Sequence, residues 1–168
     1  MKGLIGCGIA PVYGAMEPGV LIDEGLYGMA CDILSDPAGE WIKIDMEYGY
    51  EGYVRREDLI FSRWEEVLSG SEKKMRVIRQ QIDLLAEPRV ASPILISIPR
   101  GAVIGMNTAA EDLPQGWVRV RLADGREGYT KAGFLREYIP ILRQRPENEA
   151  VFREAVIQDA LMYQGTAY

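Results

Sequence analysis

The side chains in this chain that could do chemistry are two cysteines, Cys7 and Cys31, and 25 carboxylates, set against no histidine at all. Histidine is the side chain most often used as a general base near neutral pH. A Ser-His or Cys-His nucleophile pair is therefore excluded within these residues. Two thiols without histidine are too few for a four-ligand zinc site or for a disulfide framework, and small, partly buried thiols are the expected reading. Acid–base work by paired carboxylates needs two carboxyls facing one cleft at a set separation, and no spacing here points to such a pair. No metal or cofactor is implied.

The elements that would position any site must come from 168 residues with a formal charge of −6, 48% of them apolar and 26% charged. That is the composition of a folded protein of one ordinary domain or two small ones. Without a Lys- or Arg-rich stripe there is no electrostatic footprint for a nucleic-acid backbone. No run approaches the roughly 20 apolar residues that span a membrane, so neither nucleic acid nor membrane is expected as a partner. Leu4-Ile5-Gly6-Cys7 is like a lipoprotein cleavage box, but the stretch before it is shorter than the apolar run of about 7–15 residues that a secretory signal needs. The segment reads instead as a first strand region.

The chain repeats itself. Trp41-Ile42-Lys43-Ile44 is matched by Trp117-Val118-Arg119-Val120, and Gly49, Glu51, Gly52, Tyr53 and Leu59 recur as Gly125, Glu127, Gly128, Tyr129 and Leu135, all at an offset of 76. Glu17-Pro18 recurs as Glu87-Pro88 at an offset of 70, a difference that loop insertions would produce. Two copies cannot make a solenoid, which needs more units to bury a continuous core. They read as two tandem small domains, the pattern covering about 7–62 and 75–140. Between them, Trp64, Val67 and Leu68 fall at helical spacing and predict a short helix packed between the domains.

Within each copy the apolar pattern has period two, as in a half-buried strand. Ile42, Ile44 and Met46 share one face and Trp41, Lys43 and Asp45 the other; Val118, Val120 and Leu122 oppose Trp117, Arg119 and Arg121. Glycine-containing turns follow at Tyr48-Gly49 and Ala123-Asp124-Gly125, and strands resume at Gly52-Tyr53 and Gly128-Tyr129. This predicts small, tightly closed antiparallel barrels, with Trp41 and Trp117 packing at the barrel ends. Beyond Pro146, Phe152, Val156, Ala160 and Tyr163 follow helical spacing after Glu147-Asn148-Glu149, and Gly165 ends the helix. A lone helix of this length is marginal, so its apolar face is expected to dock onto the barrels.

The two segments Trp41-Ile-Lys-Ile with Gly49-Tyr-Glu-Gly-Tyr-Val, and Trp117-Val-Arg-Val with Gly125-Arg-Glu-Gly-Tyr-Thr, together with Leu26-Tyr27-Gly28, resemble tandem bacterial SH3-like (SH3b) domains that precede an NlpC-type cysteine peptidase domain. The tail from Phe152 to Tyr168 looks like the opening helix of that catalytic domain. The resemblance implies a mainly β fold of two tandem small SH3-like antiparallel barrels followed by a C-terminal α-helix. Its expected divisions are a first SH3b domain over 1–62, a linker with a short helix over 63–74, a second SH3b domain over 75–140, and a linker and opening helix over 141–168. The Asp-Cys-Ser-Gly nucleophile segment of such enzymes has no counterpart here, and neither Cys7 nor Cys31 matches it. The expectation is therefore a non-enzymatic front end, truncated before the catalytic cysteine.

A complete protein of this kind would resemble a γ-D-glutamyl-L-diamino acid endopeptidase that cuts peptidoglycan stem peptides. The resemblance makes this chain its substrate-gating or targeting module, with a peptidoglycan-derived peptide and the missing catalytic domain as partners. In such enzymes the first SH3b domain helps hold the free amino end of the peptide through acidic and tyrosine side chains, chemistry suited to an ammonium. Carried over by motif position, that role falls to Tyr50, with Glu17 and Asp23 as alternative carboxylates. Arg126 stands where the second copy would need its tyrosine, which makes that copy a spacer. The competing reading is an SH3-like interaction module for extended or proline-rich peptides. Neither copy carries the aromatic groove and acidic loop that this reading needs, and barrel architecture alone is analogy. The lack of an apolar signal run favours cytoplasmic recycling of murein peptides over a role in the wall or outside the cell.

Overall fold

The computed structural model of the protein describes residues 1–16, 19–70, 72–109, 112–140 and 148–165. The first half forms β1 (Lys2–Ile5), β2 (Ile9–Tyr13), β3 (Leu21–Leu26), β4 (Ala30–Ile33), β5 (Trp41–Met46), β6 (Glu51–Arg55) and β7 (Leu59–Ile60). After the short helix α1 (Trp64–Val67) come β8 (Glu72–Val77), β9 (Gln81–Leu85), β10 (Ile94–Pro99), β11 (Val103–Asn107), β12 (Trp117–Arg121), β13 (Glu127–Lys131) and β14 (Leu135–Glu137). Helix α2 (Glu149–Leu161) follows.

The repeat in the sequence is a repeat in topology. The two seven-stranded antiparallel sheets run β3-β2-β6-β5-β4-β1-β7 and β10-β9-β13-β12-β11-β8-β14, the same order displaced by seven strands. Each curls around its own apolar filling, giving two small barrel-like domains. The period-two pattern sets which side fills them: along β5, Ile42, Ile44 and Met46 are buried and Trp41, Lys43 and Asp45 are not. The first core adds Ile5, Val12, Ile33, Val54 and Leu59; the second is built on Val77, Leu84, Ile98, Ile104, Val120 and Leu122.

Trp41 and Trp117 lie on the outer face rather than closing the barrel ends. Each stands directly across the sheet from a cation, Trp41 from Arg55 and Trp117 from Lys131. The cations sit over the rings at 4.0 and 4.1 Å from the centroids. The indoles thus act as cross-strand partners that pin the register of their hairpins.

The short helix expected between the copies is present, and it belongs to the interface that joins them. Trp64 and Tyr27 are both buried and pack into the second barrel's core although Tyr27 lies in the first repeat. The Val103 N–H donates to the Tyr27 carbonyl at 2.8 Å, the Ala123 N–H donates to the Tyr27 hydroxyl at 2.9 Å, and the Trp64 indole N–H donates to the Gly28 carbonyl at 2.8 Å. Gly28 has φ +72°, and a Cβ there would lie 1.9 Å from the Val103 carbonyl oxygen. Only glycine fits that conformation and that approach.

Helix α2 departs from expectation. Asn148 caps it by accepting from the N–H groups of Ala150 and Val151 at 3.0 and 3.2 Å, and Gly165 follows it at φ +85°. Its apolar residues do not dock: Phe152, Val156, Ile157 and Leu161 are each about half exposed, and none of the helix is buried. The hold on the second barrel is polar, with the Arg100 guanidinium donating to Asp159 at 2.6 Å.

Gly28→Ala is expected to destabilise the chain by at least about 2 kcal/mol, because strain at φ > 0 adds to a backbone collision. Thermal denaturation followed by circular dichroism checks this; an unchanged midpoint would show that the approach of Gly28 to Val103 does not hold the barrels together.

Candidate functional site

The residues singled out by sequence lie around the β5–β6 hairpin of the first barrel and the strand β3 that edges the sheet. The hairpin turns at Tyr48-Gly49, where Gly49 takes φ +79°, the Gly49 N–H donates to the Met46 carbonyl at 2.7 Å, and the Met46 N–H donates to the Tyr50 carbonyl at 3.0 Å. That turn leaves Tyr50 43% exposed and Tyr48 half-buried beneath it. The Tyr48 hydroxyl donates to Asp23 Oδ2 at 2.6 Å, and Asp23 Oδ1 accepts the Glu24 backbone N–H at 2.9 Å. Asp23 is thereby fixed at both oxygens, each keeping a further lone pair for a donor from outside. Glu17, the alternative carboxylate, lies outside the described residues.

Asp23 and the tyrosine turn are thus brought together, but the phenol bonded to the carboxylate is Tyr48, which motif position alone passed over in favour of Tyr50. Burial pushes the Tyr48 phenol above its ordinary range, and the hydrogen bond to Asp23 and the nearby charges of Asp23 and Tyr50 add to the shift. A neutral phenol donating to the Asp23 carboxylate is the arrangement that results, a compact acidic spot with an aromatic wall. It can take a cation such as a primary ammonium, with Asp23 supplying charge and Tyr48 and Tyr50 supplying ring surface.

The second barrel folds the same turn without the site. Gly125 has φ +84°, its N–H donates to the Leu122 carbonyl at 2.9 Å, and the Leu122 N–H donates to the Arg126 carbonyl at 2.8 Å. Asp124 replaces Tyr48 and Arg126 replaces Tyr50, and the two are paired with each other at 2.7 Å. Strand register puts Ile96, opposite Leu84, where Asp23 stands opposite Val12. One copy thus carries the acidic aromatic spot and the other has lost every member of it.

The thiolate form is disfavoured at both cysteines. Burial, with the Asp58 carboxylate beside it, pushes Cys7 up to about 12, and burial near Asp32 pushes Cys31 up to about 12. Among the described residues no group of three or more His, Cys, Asp and Glu is set to hold a metal ion.

Two comparisons with known proteins bear on the chain. It is 32% identical over 151 residues to Dipeptidyl-peptidase 6 of Lysinibacillus sphaericus, an alignment taking in 88% of this chain and 54% of that protein. Its fold matches the crystal structure of an NlpC/P60 family protein from Bacillus cereus with a TM-score of 0.73, covering 100% of this chain and 65% of that one at 15% identity. No protein-family model matches. The chain is thus similar to a peptidase along most of its own length and shares its architecture with an NlpC/P60 family protein. It spans about half the length of the curated relative it matches.

Raised thiol and phenol values make the fold sensitive to alkali. Cys7 and Cys31 move from an ordinary 9.0 to about 12 and Tyr27 from 10.0 to about 12, so the unfolded chain loses these protons first. The stability they contribute is fully present below about pH 9 and is lost as pH rises through about 12. Urea denaturation at pH 8 and pH 10.5 is expected to give a lower midpoint at the higher pH, and a thiol reagent at pH 8 to label the native chain far more slowly than the unfolded one. Equal midpoints and equal labelling rates would contradict the burial of these groups.

Proposed function

We propose that these residues form the substrate-binding front region of an NlpC/P60-type peptidase that acts on peptidoglycan stem peptides, a γ-D-glutamyl-L-diamino acid endopeptidase working in murein peptide recycling. In this reading the chain itself gates and orients; the bond is cut by a catalytic domain of NlpC type. The first barrel holds the free amino end of the peptide, with Asp23 pairing the ammonium, Tyr48 fixing Asp23, and Tyr50 covering the ligand from the solvent side. The second barrel positions the first. Nucleic acid and membrane have no part in it.

The observation that carries the reading is the Tyr48–Asp23 hydrogen bond of 2.6 Å next to an exposed Tyr50, in a chain 32% identical to a dipeptidyl-peptidase. Exopeptidase-like recognition needs a fixed anion that counts residues from a free amino terminus, and a carboxylate already held at both oxygens loses little freedom on taking up an ammonium. Ammonium recognition is thereby confined to the first barrel.

Isothermal titration with L-Ala-γ-D-Glu-diamino acid tripeptide tests this. The chain is expected to bind the free peptide, to lose about tenfold or more in affinity on Asp23→Asn, since a hydrogen bond to a charged group contributes about 1.5–3 kcal/mol, and to lose a smaller factor on Tyr50→Ala. Equal binding of the N-acetylated peptide, or preferential binding of a proline-rich peptide, would contradict it.

A further inference from the structure

The turn that carries the tyrosines of the first barrel is gripped from the second. Tyr138 follows β14, where its N–H donates to the Lys74 carbonyl at 3.0 Å, and its hydroxyl donates to the Glu47 carboxylate, 91 residues away. Glu47 directly precedes Tyr48. Two neighbouring residues are thus held by two phenol–carboxylate bonds, Glu47 by Tyr138 of the second barrel and Tyr48 by Asp23 on β3 at 2.6 Å.

The gripping residue is itself held. Lys74 Nζ and Arg76 Cζ, from β8, each lie 5.4 Å from the centroid of the Tyr138 ring, and the Arg76 guanidinium donates to the carbonyl of Ile139, the next residue along, at 3.3 Å. Met46, Glu47, Tyr48, Arg76 and Tyr138 border one recess whose free space is about 10 Å³, no more than the roughly 10–15 Å³ that one water needs. The contact is filled by protein, so a displacement of Tyr138 is passed to the turn instead of being taken up by solvent.

The grip is also reciprocal. Ala123 stands 76 positions after Glu47, at the same place in the second barrel's turn, and its N–H donates to the hydroxyl of Tyr27 from the first barrel at 2.9 Å. Each barrel therefore sends a tyrosine hydroxyl to the same turn position of the other. The two bonds differ in depth. That of Tyr27 is buried and belongs to the joint between the barrels, whereas Glu47 is exposed, a setting in which a side-chain contact adds little to folding.

We infer that Tyr138 is a positioning residue for the Asp23–Tyr48 site. Acting through Glu47, it lets the second barrel set where the tyrosine turn of the first barrel lies, and so whether the Tyr48 hydroxyl meets Asp23. Tyr138 itself does not touch the ligand. The inference rests on the ammonium reading of the first barrel for its effect on binding.

Carbon-13 NMR of the full chain, following the Tyr48 Cζ signal without ligand, reads the bond to Asp23, and Asp23→Asn gives the position of that signal once the carboxylate is gone. Tyr138→Phe keeps the ring and removes the hydroxyl. It is expected to leave the thermal midpoint nearly unchanged, to move the Tyr48 signal toward its Asp23→Asn position, and to weaken binding of the L-Ala-γ-D-Glu-diamino acid tripeptide about threefold or more, as coupled neighbours do. Glu47→Ala is expected to do the same, Glu47→Gln, which keeps an acceptor, to retain part of the original signal and affinity, and the double variant Tyr138→Phe with Glu47→Ala to be no worse than either single one. A Tyr48 signal unmoved by both Tyr138→Phe and Glu47→Ala overturns the inference. So do additive losses in the double variant, which would mean that the two residues act separately. If the signal moves as expected but Asp23→Asn binds the tripeptide as tightly as the unsubstituted chain, Tyr138 still positions the turn, and the ammonium reading of the first barrel falls.

Discussion

The closest constraint in the molecule is the approach of one backbone to another at Gly28. The Tyr27-Gly28 segment leaves the first barrel in a conformation open only to glycine, presents its carbonyls to Val103 N–H and to the Trp64 indole, and sends the Tyr27 ring into the core of the second barrel. A side chain at Gly28 would occupy the space of the Val103 carbonyl. Three hydrogen bonds across the interface are buried with their partners, so opening it would strand polar groups as well as expose apolar surface. Two domains with separate cores are joined because Leu4, Tyr27 and Trp64 pack into the core of the second.

This joint gives the duplication its functional meaning. A repeated fold starts with two equivalent hairpin turns, and the same turn hydrogen bonds persist in both. The residues on them have diverged: Asp23, Tyr48 and Tyr50 in the first barrel correspond to Ile96, Asp124 and Arg126 in the second. One turn offers a fixed anion with aromatic walls, the other an ion pair closed on itself. Tyr27, Gly28 and Trp64 hold the second barrel in one place beside the first.

Much of the fold could be read from the sequence because it is written twice. The alternation of Ile42, Ile44 and Met46, the glycine turns, and the helical spacing of Trp64 and Val67 each follow from local periodicity, and the structure places them accordingly, with Leu68 already extended beyond the helix. The two tryptophans were harder: size argues for a core position, yet their place in the alternation puts them on the outer face, where Arg55 and Lys131 cover them. Helix α2 has apolar residues at helical spacing but no face that they occupy alone, and Arg100 meets it through Asp159. Of the candidate site, motif position points to Tyr50 and to Glu17 or Asp23, without choosing between the two carboxylates. Tyr48 was missed as the partner of Asp23 because pairing across 25 residues depends on how the edge strand β3 lies beside the hairpin.

The measurement that tests the account most directly is a set of residual dipolar couplings for the backbone N–H groups of both barrels in one weakly aligned sample. If Tyr27, Gly28 and Trp64 lock the barrels as described, the couplings of β1–β7 and β8–β14 fit a single alignment tensor. Two tensors of different orientation or magnitude would mean that the barrels move independently.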